Sequence, residues 1–151
     1  MPRLLRVLAA ASLALMCTHA LAEVPAGKDK DADWVLIGET SPLTREYFID
    51  RASIRRTQGG VLYRERCEFV DPGRLLLPTG ESYEADARQY EADCGTLAQR
   101  LVSITYLDGH DEPVRTRNLS PAGDMRLAQP GSVADVSIRY VCRASPAGGG
   151  R

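Results

Sequence analysis

The chain has 151 residues, 26% of them charged, and a formal net charge of −1. That length fits one domain with a modest core. A near-neutral balance without a basic block gives no footprint for nucleic acid or for an anionic membrane surface.

Residues 1–6 carry Arg3 and Arg6 and no acid, Val7 to Met16 is apolar apart from Ser12, and Ala20-Leu21-Ala22 follows. A charged start, a short apolar run and a small-x-small site predict a secretory signal peptide over residues 1–22. Ala20 and Ala22 would fit the peptidase pocket, and Glu23 would be the first mature residue. The apolar run is too short for an anchor, since a bilayer span takes about 20 apolar residues. No later stretch is longer, so no integral membrane segment is expected after cleavage. Lipidation of Cys17 would need a small residue before it, and Met16 stands there. Loss of Arg3 and Arg6 takes the formal charge to about −3. Cys67, Cys94 and Cys142 then remain in an oxidising compartment, where one pair is expected and three pairings are open.

Residues 23–32 are polar and rich in Lys and Asp, which predicts a disordered leader. Order is expected from Asp33, with a strand over Trp34 to Ile37 ending at Gly38. Ser41-Pro42 signals a turn. Glu46 to Ile49 reads as a second strand closed by Asp50, and Ala52 to Arg56 as a turn leading into a new strand. Gly59-Gly60 is a tight-hairpin signal. Val61 to Val70 alternates with period two: Val61, Tyr63, Cys67 and Phe69 on a packed face interrupted by Glu65, with Leu62, Arg64, Arg66 and Glu68 on a wet one. Asp71-Pro72-Gly73 and Pro78-Thr79-Gly80 bracket an apolar tip, Leu75-Leu76-Leu77. It either folds back on the core or offers a contact patch to a partner. Tyr83 to Asp93 mixes helix formers with alternating tyrosines and is read as a strand beside other strands. Thr96 to Leu107 and Pro113 to Leu119 pair across the Asp108-Gly109 turn. Pro130-Gly131-Ser132 opens the last element. Val136, Ile138 and Tyr140 alternate as in a strand, but Ser132 and Asp135 have capping-box spacing. Val133, Val136 and Tyr140 form one helical stripe and Ala134, Ile138 and Val141 another, so a helix is predicted. The Pro/Gly-rich residues 144–151 are expected to be a disordered tail.

In this order the segments Trp34-Val35-Leu36-Ile37-Gly38, Tyr47-Phe48-Ile49-Asp50, Ala52-Ser53-Ile54-Arg55-Arg56, Tyr90-Glu91-Ala92-Asp93-Cys94, Pro130-Gly131-Ser132 and Val141-Cys142 resemble the surface-adhesin protein E family of small exported Gram-negative envelope proteins. The resemblance covers a domain over residues 33–143. It implies an α+β fold, a twisted antiparallel sheet with a C-terminal helix on one face, and a disulfide tying helix to sheet through Cys94 and Cys142. Cys67 and the Asp71 to Gly80 loop depart from the family pattern, and Cys67 is expected to be a buried thiol.

No residue set announces chemistry. There is no GxSxG, HExxH, phosphate-binding glycine loop or CxxC. His110, the one histidine after the signal peptide, lies in a polar turn. The acid pairs Asp108/Asp111 and Glu81/Glu84 read as solvated loop residues. Arg51, Arg55, Arg56, Arg64 and Arg66 could face an acidic partner, but Glu65 and Glu68 interleave with them. The expectation is therefore a non-enzymatic exported binding protein with no catalytic residues, metal or cofactor. It would contact host or envelope proteins through a sheet edge or the Leu75-Leu76-Leu77 tip, and a homodimer is compatible with such edges. The alternative is a periplasmic accessory or inhibitor of another envelope protein. Most of the protein is expected in the periplasm, reaching the cell surface only within a complex.

Overall fold

The computed structural model describes residues 32–40, 45–70, 75–119 and 124–145. The signal peptide with its Ala20–Ala22/Glu23 site, most of the leader, the Ser41-Pro42 turn and residues 146–151 lie outside them. The elements are β1 (Trp34–Thr40), β2 (Arg45–Arg56), β3 (Val61–Phe69), β4 (Leu75–Leu76), β5 (Ser82–Tyr83), β6 (Ala85–Asp93), β7 (Ala98–Leu107), β8 (Pro113–Asn118), β9 (Arg126–Leu127) and the helix α1 (Val133–Ala144). The main sheet is antiparallel in the order β1-β2-β3-β6-β7-β8, β9 pairs back onto β7, and β4-β5 is a separate hairpin between β3 and β6.

β3 behaves as its period-two pattern predicts on one side. Val61, Tyr63 and Cys67 are buried, and Glu65 is buried among them. The opposite side is less wet than expected. Arg66 is only 8% exposed, because its Nε donates to Glu68 at 2.6 Å and its Nη2 pairs with Asp111 from the β7–β8 turn. A long guanidinium side chain lies along the sheet and is satisfied at its tip.

The β2–β3 hairpin closes at Gly59-Gly60, where Thr57 N–H donates to the Gly60 carbonyl. Gly60 has φ +152°, and a Cβ there would lie 2.1 Å from the Ala92 carbonyl oxygen, so glycine is required by both conformation and space. Ala52 to Arg56 does not start a new strand after a turn. It continues β2 through an irregularity between Asp50 and Arg55. Such a bulge leaves backbone groups without ladder partners, and two side chains replace them. Asp50 accepts from the backbone N–H of Asp33 and of Ala52, both at 3.0 Å, and from Arg64 Nε at 3.0 Å. Ser53 Oγ donates to the Asp50 carbonyl and accepts from Arg64 N–H.

Helix α1 starts where the cap predicts. Ser132 Oγ accepts from Asp135 N–H at 3.2 Å, while the short Asp135 side chain reaches the Gly131 N–H instead of returning to Ser132. Of the two predicted stripes, the one with Ile138 and Val141 is buried against Ile49, Val61, Tyr63 and Ala92. Val136 of the other is exposed. A disulfide joins Cys142 of α1 to Cys94 in the β6–β7 turn, as the family resemblance implies, and Cys67 is a buried free thiol. In that turn Asp93 accepts from Gly95 N–H and Thr96 Oγ, and Leu97 takes a left-handed φ of 55°. A non-glycine residue there costs on the order of 1 kcal/mol, and the packing of Leu97 against the core offsets it. β7 consequently begins at Ala98, two residues later than its sequence pattern predicts.

Three outcomes are expected in denaturation experiments. Asp50→Ala should cost about 3–5 kcal/mol, because it removes the buried carboxylate shared by the nearly buried Arg64 guanidinium and the backbone N–H groups of Asp33 and Ala52. Asp33→Ala, which removes an exposed partner of Arg51, should leave the unfolding midpoint almost unchanged. Cutting the Cys94–Cys142 bond, which closes a separation of 48 residues, should cost about 4 kcal/mol by loop entropy, read from unfolding curves with and without reductant.

Candidate functional site

α1 is twelve residues long and covers only part of the face it packs on. Its boundary runs over Glu65. That carboxyl sits on β3 with Ile49 of β2 on one side and Arg88 of β6 on the other. One oxygen accepts from Ser137 Oγ of α1 at 3.0 Å, and the other is 3.9 Å from Arg88 Nη1. Arg88 is committed to Asp86, with contacts of 2.6 and 2.8 Å. Burial therefore dominates and pushes Glu65 up to about 7, against the pull of Arg88 and Ser137. Burial, with Asp86 adding to it, also raises the Cys67 thiol to about 11, so it is held as a neutral, weakly nucleophilic group. Beyond Glu65 the same face is closed by aromatic rings: Tyr83 of β5 meets Phe69 and Tyr106 edge-on at 5.9 and 5.0 Å, and Arg45 lies over Phe69.

The open feature lies at the opposite margin of α1. On the outer edge of β7, β8 pairs with Ser103 to Leu107, and Leu119 N–H reaches the Val102 carbonyl. β9 pairs with Ala98 and Gln99, and Ala128 N–H reaches the Leu97 carbonyl. Between them, among the described residues, no strand stands opposite Arg100 and Leu101. A groove of about 800 Å³ opens there, within the size range of ligand clefts. Tyr90, Leu101, Leu119 and Ala134 give it an apolar floor, and Gln99, Arg100, Asp124 and Arg126 give it polar walls. Arg100 is held by Glu91 at 2.5 and 2.9 Å. Gln99 accepts from Tyr63 Oη at 2.6 Å through its carbonyl oxygen, which directs its amide N–H groups elsewhere.

The residues singled out in the sequence are not brought together. His110 is exposed in the β7–β8 turn, where Asp108 accepts from its backbone N–H and from that of Glu112. Asp111 is turned to Arg66. Arg51 pairs with Asp33, Arg64 with Asp50, and Arg66 with Glu68, so those three arginines of the basic group are engaged within the fold. In the Leu75-Leu76-Leu77 tip, Leu77 is buried, Leu75 half-buried and Leu76 58% exposed, so one side chain of the three faces solvent. Among the described residues no three His, Cys, Asp or Glu side chains converge as a metal site, and no helix is long and apolar enough to cross a membrane. Sequence reading missed β9 and the groove. β9 is two residues long, and Arg126-Leu127 has no strand period to reveal it.

The domain is thus an antiparallel sheet bearing one C-terminal helix tied to it by a disulfide, with a groove beside the helix. The surface-adhesin protein E family matches residues 34–143, and the chain belongs to that family. No curated protein and no solved structure matches it. An adhesin family points to a protein that is exported, associated with a surface and engaged with other proteins, and to a non-enzymatic role.

The position of Glu65 makes stability depend on pH. The folded chain holds its proton more tightly than the unfolded chain, whose value is near 4.5. Its contribution is complete below that value and is lost as pH rises through about 7. Asp86, raised by burial against the pull of Arg88, acts in the same direction. Chemical denaturation at pH 5 and pH 8 should show the chain more stable at pH 5, by up to about 3 kcal/mol. Glu65→Gln should flatten the difference, and an equal pH dependence in that variant would remove Glu65 as its source.

Proposed function

We propose that this chain is an exported, non-enzymatic binding protein that contacts host or envelope proteins through its surface. The observation that carries this reading is the family match, which spans the folded domain from β1 to the end of α1. The groove beside α1 supports it with a concave apolar surface walled by hydrogen-bonding side chains. In this reading residues 1–22 are the signal peptide cleaved between Ala22 and Glu23, residues 23–32 a leader, 33–143 the binding domain and 144–151 a tail.

The second reading is a periplasmic accessory or inhibitor protein, favoured by Met16 before Cys17, which disfavours a lipid anchor. Retention at the surface then rests on a complex with another envelope molecule. Osmotic shock and protease shaving of intact cells separate the two. Removal by shaving supports the adhesin role. Release by shock with full protection from shaving would end it and leave the accessory role. An intact mass beginning at Glu23 is the expected form of the exported chain.

A further inference from the structure

The described residues hold three cysteines, and the fold bonds two of them. Cys94 and Cys142 form the disulfide, and Cys67 is a free thiol with no solvent exposure. Cys67 stands on β3 opposite Asp86 of β6, with Tyr47 of β2 on its other side. Cys94 follows the far end of β6, so most of that strand separates it from Asp86. At about 3.3 Å per residue, Cys67 and Cys94 are roughly 20 Å or more apart in the folded sheet. Cys142 lies with Cys94, 5.7 Å away between Cα atoms, and is equally remote. A disulfide needs Cα atoms within about 7 Å of each other. Any bond from Cys67 to another of these cysteines therefore excludes the β3–β6 register, the central pairing of the sheet.

The unfolded chain has the opposite preference. The stretch from Cys67 to Cys94 is little more than half of the 48 residues that separate Cys94 from Cys142. Loop closure weighted by chain length favours the shorter loop by about twofold. The loop from Cys67 to Cys142 is the longest and the least favoured. Order of arrival acts in the same direction. In an exported chain that enters an oxidising compartment N-terminus first, Cys67 and Cys94 meet there before Cys142 arrives. The pair favoured first is thus a pair the sheet cannot contain.

We propose that this chain folds through a transient Cys67–Cys94 disulfide and reaches its native state when Cys142 displaces Cys67 from it. The class of reaction that completes the chain after its oxidation is therefore thiol–disulfide exchange. The first bond forms as the Cys67 and Cys94 thiols give two electrons and two protons to a disulfide oxidant, which is reduced to its two thiols. In the second step the Cys142 thiolate attacks Sγ of Cys94. The Cys94–Cys142 bond forms, the Cys67–Cys94 bond breaks, and Cys67 leaves as a thiolate that takes up the proton Cys142 gave up. No electron is gained or lost in that step. Folding then makes the exchange one-way. Cys67 closes into the sheet, where burial raises its thiol to about 11 and no attacking sulfur reaches it.

The test uses the exported chain, reduced and unfolded, then diluted into a mildly alkaline buffer of oxidised and reduced glutathione. Samples are quenched by thiol alkylation, and their bonds are assigned by peptide mapping. Among early species with one bond, Cys67–Cys94 should exceed Cys94–Cys142 by about twofold. It should then decay as Cys94–Cys142 accumulates with Cys67 recovered as a thiol. The isolated Cys67–Cys94 form, freed of glutathione, should convert to the native bond unaided, faster as pH rises, because the attacking group is a thiolate. Alkylating its one free thiol, Cys142, should stop the conversion. In Cys67→Ala the competing bond is gone, and the native bond should form without the delay. Cys94–Cys142 as the dominant first species, an isolated Cys67–Cys94 form that does not convert, or an unchanged delay in Cys67→Ala would each overturn the proposal. Should that variant fail to fold, the mapping and the isolated intermediate, both made with the natural chain, still decide. Read on the purified chain, the outcome is independent of what the domain binds.

Discussion

The structure depends on how one short helix is fastened to a sheet much wider than itself. Twelve residues at about 1.5 Å each make a rod of roughly 18 Å. That covers Ile49, Val61, Tyr63 and Ala92, and Ile138 and Val141 fill the contact. The apolar area is modest, so the disulfide from Cys142 to the β6–β7 turn contributes where packing alone is thin. The N-terminal end is set by Ser132 and Asp135, which satisfy backbone groups at the first turn. A helix held at both ends can carry a polar group between them, and Ser137 above Glu65 is that group.

Where α1 ends, the sheet has to close its own face. Tyr47, Cys67 and Asp86 are buried there, beneath the side chains of Arg88 and Arg45 and the Tyr83 ring brought in by the β4–β5 hairpin. This explains why the hairpin is anchored by Leu77 and leaves mainly Leu76 outside. Its apolar residues contribute more to closing the face than to making a projecting tip. It also explains Glu65, the residue that interrupts the apolar series on β3. It stands where the helix-covered core meets this charged layer, and it is close enough to Arg88 to be tolerated but too far for a direct hydrogen bond.

The parts of the fold that were legible in the sequence are those governed by local rules. The alternation on β3, the Gly59-Gly60 turn, the return across Asp108-Gly109 and the cap at Ser132 each depend on residues within a few positions of one another. The disulfide needed the family pattern, since three cysteines allow three pairings. What was misread depends on distant partners. Ala52 to Arg56 looks like a turn until Asp33 and Arg64 are placed beside Asp50. Arg66 looks solvated until Asp111, 45 residues away, folds over it. The groove had no local signal at all. It exists because β8 and β9 pair with different parts of one strand, and such pairing is set by partners distant in sequence.

The same topology ties the groove beside β7 to the stability of the domain. Leu97 in its left-handed conformation starts β7 and offers the carbonyl on which Ala128 docks. The Cys94–Cys142 bond lies in the same turn. The position of β9, and with it of Leu127 and Arg126, is therefore fixed from the turn that also anchors α1. The opposite wall comes from α1 through Ala134, close to the Ser132 cap. A groove framed by the disulfide-bearing turn and by the capped start of the helix keeps its shape only while the helix is docked. That arrangement couples the groove to the one packing event on which the fold depends, with no separate scaffold required.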